Sequence, residues 1–225
     1  MIKVEHIETW GFEHAIRGMR NPMNSWEKSD SGWKVMNPIA VGFGYDANYE
    51  YIIGENDLDL MKRLYNGGTE HRKYMRQIFV SMDITAPLYW WKEFDTYKVG
   101  TCANSCSTMH KIHDKEFTLD DFSHEHLDQY SLDVLSRVIT ALNIARDDYL
   151  EDNESRYEAL GVTRKYDWWQ MIQLLPSSYN QRRTVTFTYE NVVSMLHQRE
   201  NHKLDEWREL CKCFKQLPYI EEITG

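Results

Sequence analysis

Three groups of residues in this 225-residue chain have types and spacings that could do chemistry. The first is Arg199 with Lys203 four positions on. Arg199 follows Val192 by seven residues and Met195 by four, so a helical reading puts both cations on the apolar stripe. An inward cation is costly unless it meets a carboxylate, a phosphate or the polar edge of a ring. A buried ion pair or a snorkelling stem would satisfy it without any ligand. The second group is residues 98–110, KVGTCANSCSTMH, where hydroxyl, thiol and amide groups crowd around Gly100 with a basic residue at each end. Such a stretch can offer several donors to an anion or a heterocycle, and it also reads as an ordinary Ser/Thr-rich turn. The third group is the four cysteines, Cys102, Cys106, Cys211 and Cys213. Cys102 or Cys106 beside a histidine would make a nucleophile, although most cysteines are small core residues.

Metal chemistry is a weaker reading. Cys211 and Cys213 lie in a helical pattern, where positions two apart point about 200° from each other and do not easily share an ion. His124-Glu125-His126 and His110-x-x-His113 lack an identifiable further ligand, so no metal site is expected. No GxGxxG or phosphate-loop motif occurs, which argues against Rossmann and Walker sites.

The elements that must position these residues follow from periodicity. Residues 24–32 are polar and read as a loop. Leu58, Leu60, Met61 and Leu64 predict a helix over 55–65, with Asn56 as its N-cap and Asn66-Gly67-Gly68 as its end. Ile78, Val80, Met82 and Ile84 alternate in a strand over 78–85, and Pro87 suits the first turn of a short aromatic helix. Leu132, Leu135, Ile139, Leu142 and Tyr149 mark an amphipathic helix over 129–152. Val185, Phe187 and Tyr189 alternate with threonines in a second strand. A last long helix starts near Asn191 and carries Val192, Met195, Leu196, Trp207, Leu210, Cys211 and Phe214. The mixed order predicts an α+β (or mixed α/β) fold, a small sheet flanked by long helices, with residues 1–225 as a single domain.

Composition narrows the function. There are 26 Lys and Arg against 35 Asp and Glu, a formal charge of −9, so polymeric nucleic acid is a poor partner while a local basic pocket for a small anion stays possible. No signal peptide or membrane-length apolar run is visible, and the thiols need not be oxidised in a domain of this size, so a cytoplasmic protein is expected. Aromatic residues reach 13%, and such rings serve either as core or as flat walls for a ligand.

From near residue 70 to near 210 the order of these features resembles the flavin-dependent thymidylate synthases. That family has a histidine, a strand and a proline opening a helix; here these are His71, the strand over 78–85 and Pro87. Its signature, R-H-R-x-x-S-x-N-E-x-S-x-R, falls where this chain reads T-Y-K-V-G-T-C-A-N-S-C-S-T-M. Asn104-Ser105-Cys106-Ser107 matches N-E-x-S, with Ser105 in place of the glutamate. Leu175-Pro176, the polar strand over 184–189, Leu196 to Arg199 as L-x-x-R, His202 and Glu206-Trp207 complete the likeness. The R-H-R triplet is replaced by Thr96-Tyr97-Lys98 or Tyr97-Lys98-Val99, and the final arginine by Met109. Lysine does not replace a planar, bidentate arginine equivalently.

The resemblance implies a homotetramer whose active sites are built from several subunits. It implies reduced FAD, regenerated by NADPH, in the methylation of dUMP to dTMP by methylenetetrahydrofolate, without an enzyme cysteine nucleophile. His71, Asn104 and Asn191 are the implied cofactor contacts. Ser107 and Arg199 are the implied catalytic residues, at the pyrimidine or phosphate and at the uracil edge respectively. Lys98, Ser105, Ser107 and Arg199 form the implied substrate set, Lys98 supplying charge lost with the arginines. Tyr97 is the ring to examine for stacking. Two alternatives stand beside this: flavin-dependent modification of another pyrimidine nucleotide, and a non-catalytic homologue that binds nucleotide or flavin.

Overall fold

A computed structural model of the chain describes residues 2–36 and 49–225. Its centre is a four-stranded antiparallel sheet in the order β1-β4-β6-β5, formed by β1 (Lys3–Trp10), β4 (Phe79–Pro87), β5 (Cys102–Ser105) and β6 (Asn180–Thr188). A separate hairpin pairs β2 (Gly32–Val35) with β3 (Tyr49–Ile52). The mixed α+β expectation is met. One sheet face is apolar: Val80, Met82, Ile84, Val185 and Phe187 are fully buried. Their strand neighbours Ser81, Asp83, Thr184 and Thr186 face the other way and remain accessible, as a period of two requires.

The helices are α1 (Phe12–Arg20), α2 (Glu55–Asn66), α3 (Leu88–Phe94), α4 (Gln129–Glu151), α5 (Glu154–Leu160), α6 (Lys165–Leu174), α7 (Tyr189–Arg199), α8 (Asp205–Lys215) and α9 (Ile220–Thr224). The buried residues of α1, α2, α3, α7, α8 and α9 join the sheet core. A second cluster, with Phe117, Phe122, Leu135, Leu142 and Met171, forms where α4 packs on α6. Asn143 on α4 ties down the segment before it, accepting from the Phe117 N–H at 2.8 Å and donating to its carbonyl at 2.9 Å. No helix among the described residues is long and apolar enough to cross a membrane.

Three sequence expectations need correction. Gly54, not Asn56, occupies the N-cap of α2. The cap is supplied from a distance by Asp30, whose carboxylate accepts from the Asn56 and Asp57 N–H groups at 2.9 and 3.1 Å. Pro87 ends β4, paired with Asn180, so α3 starts one residue later. The long C-terminal helix is two helices, α7 and α8, broken over residues 200–204. The apolar stripe stays nearly in phase across the break, which is why periodicity reads it as continuous. Lys203 lies in that break and is exposed, so only Arg199 of the pair is directed inward.

The dense aromatic group that follows Pro87 is largely core. Trp90, Trp91, Phe94 and Trp207 are fully buried, with Trp90 4.8 Å from both Trp91 and Trp207 between ring centres. Arg183 lies over the Trp91 ring at 4.2 Å and pairs with Asp95 at 2.8 Å, joining β6 to α3.

Candidate functional site

The first turn of α7 gathers two of the segments singled out by sequence. Thr188 caps the helix and Asn191 closes the capping box: the Asn191 amide oxygen accepts from the Thr188 N–H at 3.1 Å and from its hydroxyl at 2.7 Å. The Asn191 NH2 donates to the Val99 carbonyl at 2.8 Å, holding the turn that carries Lys98 and Gly100. One residue earlier, Glu190 accepts a forked set of hydrogen bonds from Arg72 at 3.1–3.2 Å. That pair holds the segment carrying His71 against the same helical turn. His71 is itself seated by a tight turn: its N–H donates to the Gly68 carbonyl at 3.0 Å, and Gly68 has φ +98°. His71 and Lys98 are both exposed.

Gly100 has φ +75°, and a Cβ placed there would lie 3.1 Å from the Asn191 amide oxygen. Gly100→Ala is therefore expected to destabilise the fold by about 1–2 kcal/mol, from left-handed strain plus displacement of the capping amide. Urea unfolding checks this, and hydrogen exchange should show residues 98–101 losing protection first.

Residues 102–105, a turn by sequence, form the edge strand β5, with Asn104 opposite Thr184 and Ser105 opposite Arg183. Alternation sends Asn104 and Cys102 to the outer sheet face and Ser105 to the helical side. On the outer face Asp83 accepts from Thr184 and, at 2.5 Å, from Arg182; these bonds hold its carboxyl below the ordinary range. Cys102 and Cys106 are exposed thiols, whereas burial pushes Cys211 up to about 11.

Ser107 lies beyond the far end of β5, roughly 16 Å along the extended chain from Cys102. Its hydroxyl oxygen accepts from the Met109 and His110 N–H groups at 3.2 and 3.0 Å. It lines a groove of about 380 Å³ together with Cys106, Lys3, Lys115, Arg182 and Asn180. The Asn180 amide oxygen is buried there and lacks a hydrogen-bond partner among the described residues. At the other end of β5 the Thr101 hydroxyl is likewise buried and unpartnered, beside Lys98 in a small cleft under Phe94 and Tyr97. Thr101 falls within the donor-rich stretch 98–110, whereas the sequence carries no signal for Asn180; an orphaned polar atom is visible only once its surroundings are.

Arg199 is at the C-terminal end of α7, about 12 Å along the helix axis from Asn191. Its partners are internal. Nη1 donates to Glu93 at 3.0 Å, Nε donates to the Tyr97 hydroxyl at 2.9 Å, and the guanidinium lies 4.9 Å from the Trp207 ring centre. Glu93 also accepts from the Trp207 indole N–H at 3.0 Å, and His202 Nε2 lies 3.4 Å away. The Tyr97 ring packs edge-on against Trp207 and its hydroxyl donates to Gln198 at 2.8 Å, so this ring is half-buried and engaged.

The histidine motifs are dispersed. His124 Nδ1 lies 2.8 Å from the Phe122 carbonyl and His126 Nε2 2.8 Å from Asp205, while Glu125 accepts from Ser123 and the His124 N–H. Among the described residues no three His, Cys, Asp or Glu side chains gather to hold a metal ion.

Within one chain, then, the segments carrying His71 and Lys98 are both tied to the first turn of α7 beside Asn191, Arg199 is at its other end, and Ser107 borders a separate groove. For a flavin nucleotide, the exposed His71, Lys98 and Asn104 and the orphaned Thr101 hydroxyl are suitable donors and acceptors. Asn191 and Arg199 are already hydrogen-bonded within the protein, so the set fits such a group in part.

No protein-family model matches the chain, and no curated protein matches it by sequence. Solved structures do. Thymidylate synthase X (ThyX) from Helicobacter pylori, crystallised with FAD and dUMP, superposes with a TM-score of 0.63 at 16% identity, over 100% of this chain and 97% of that one. A second crystal structure of the flavin-dependent thymidylate synthase ThyX from Helicobacter pylori, also with FAD and dUMP, gives 0.62 at 16% identity, over 99% and 97%. The likeness covers nearly the full length of both chains, and the chain has the fold of the flavin-dependent thymidylate synthases.

Proposed function

We propose that this protein is a flavin-dependent enzyme of pyrimidine nucleotides, with methylation of dUMP to dTMP as its leading reaction, methylenetetrahydrofolate as one-carbon donor and NADPH as reductant. The observation that carries this reading is the full-length likeness of fold to a protein crystallised with FAD and dUMP. FAD, when bound, would supply the redox chemistry, leaving position and charge to the protein. His71 and Asn104 offer exposed ring and amide groups to it. Asn191 acts on this reading by holding the 98–100 turn in place. Lys98, exposed and outside any ion pair among the described residues, supplies positive charge for a phosphate. Ser105 and Ser107 offer hydroxyls to the nucleotide, and Arg199, with Nε and Nη1 engaged by Tyr97 and Glu93, would offer its remaining N–H groups to the pyrimidine edge. The separation of Ser107 from the α7 cluster favours sites completed by neighbouring copies, as in a homotetramer.

The internal pairing of Arg199, with the replaced signature arginines, favours a second reading: the flavin is kept and a different pyrimidine nucleotide is bound, with or without turnover. Two measurements test both. Freshly purified protein is expected to show flavin absorbance, or to gain it on incubation with FAD. It is then expected to release tritium from C5-labelled dUMP when NADPH and methylenetetrahydrofolate are supplied. Colourless protein that FAD cannot reconstitute overturns both readings. Flavin binding without tritium release, accompanied by thermal stabilisation by another pyrimidine nucleotide, selects the second.

A further inference from the structure

Apart from these residues, β1, α1, the β2–β3 hairpin and α9 enclose a cleft of about 790 Å³, within the range of small-molecule sites. Its charged side chains are acidic: Glu13, Glu50 and Glu222 line it, His14 is the one basic group beside them, and no lysine or arginine is in the lining among the described residues. Its walls are rings. Trp33 is 61% exposed and Trp10 44%, although side chains of this size normally bury most of their area.

These rings are held in place. Trp33 meets Tyr51 edge-on at 5.5 Å, and its indole N–H donates to Glu13 at 3.3 Å. Trp10 stacks on Phe79 at 5.7 Å. Tyr219 adopts φ +59°, a left-handed conformation that costs a bulky residue about 1–2 kcal/mol. Its hydroxyl accepts from the Ile53 N–H at 3.2 Å, and its ring meets Phe12 at 5.8 Å.

We propose that this cleft binds a small organic cation carrying amine or guanidinium N–H groups. Ring faces attract such a cation, and the carboxylates accept its N–H groups in charge-assisted hydrogen bonds. The same lining disfavours phosphates, and the proposal stands independently of the function proposed above.

Spermidine and agmatine serve as probes on the full chain, followed by tryptophan fluorescence and calorimetry. One-to-one saturable binding is expected for at least one of them. Trp33→Ala and the double variant Glu13→Gln, Glu222→Gln should each weaken it about tenfold or more, since ring and charge contribute separately. All three side chains are exposed, so circular dichroism and thermal unfolding should match the parent. Magnesium at matched ionic strength should not displace the amine, because it cannot use the rings. Absence of saturable binding, equal displacement by magnesium, or unchanged affinity in both variants overturns the proposal. So does self-association on sedimentation that Trp33→Ala abolishes, which would assign the rings to a second copy of the chain.

Discussion

Asp57→Ala is expected to destabilise the protein by about 3–5 kcal/mol, the usual cost of removing one partner from a buried ion pair. Asp57 is fully buried and Arg20 nearly so, with Nε 2.6 Å from the carboxylate. The other carboxylate oxygen accepts from the hydroxyls of Ser29 and Ser31, both at 2.7 Å, and from the Asp30 and Ser31 N–H groups at 3.1 and 3.2 Å. Removing the carboxylate leaves the guanidinium and these donors facing a cavity. At about 2–4 °C per kcal/mol for a protein of this size, the melting temperature should fall by roughly 10 °C. The effect should reach the candidate site, because this network fixes α1 to the start of α2, and α2 ends at the turn that seats His71.

The pH dependence follows from the same contacts. Burial alone would raise the Asp57 carboxyl, but hydrogen bonds from Ser31, Ser29 and Arg20 outweigh it, and the net direction is down. A carboxyl lowered on folding adds stability that is complete above its unfolded value, near pH 4, and is lost as pH falls through the lower folded value. The stability gap between the parent and Asp57→Asn should therefore be full at neutral pH and narrow in acid below about pH 4. Urea unfolding across that range measures it. A gap that stays constant into acid would mean that the network acts through packing and not through charge.

The parts of the fold legible in the sequence are those with one wet face and one dry face. The strand through Val80, Met82 and Ile84 and the helix through Leu135 and Leu142 have clean periods because each packs on one side only. β1 has no clean period because as an edge strand it carries Lys3, Glu5, His6 and Glu8 between its apolar residues. β5 has no strand signal because CANS, exposed along its whole length, has no apolar face. The candidate site was legible as chemistry and not as geometry. Residues 98–107 were marked by their donors, but only the tertiary bonds of Asn191 and Arg72 show that the Lys98 and His71 segments meet at one helical turn. The Asp57 network left no local signal at all, since its members come from residues 20, 29–31 and 57.

Arg199→Ala is the second large expected effect, and it separates a positioning role from a ligand role. The sequence placed a cation on an apolar stripe and required a carboxylate, a phosphate or a ring edge to meet it. The carboxylate is Glu93, 106 positions away, and local periodicity cannot point to a residue at that distance. With the Arg199 side chain 19% exposed and Glu93 36% exposed, water screens part of the interaction. The loss should therefore be about 1–3 kcal/mol, and not the full cost of a buried pair. The alanine also removes the cation from the Trp207 ring and the donor from the Tyr97 hydroxyl, leaving the end of α7 without its anchor to α3. A cycle of Arg199→Ala, Glu93→Gln and the double variant should give a coupling of about 0.5–3 kcal/mol in the ligand-free protein, because each residue's principal partner is the other. If the coupling is zero and Arg199→Ala leaves thermal stability unchanged while abolishing nucleotide binding, the guanidinium is held for substrate and the Glu93 contact contributes nothing. If the coupling is present and nucleotide also binds, a competition for charge follows: Glu93 neutralises the guanidinium that a nucleotide would use, so Glu93→Gln should tighten nucleotide binding even as it lowers the melting temperature of the free protein.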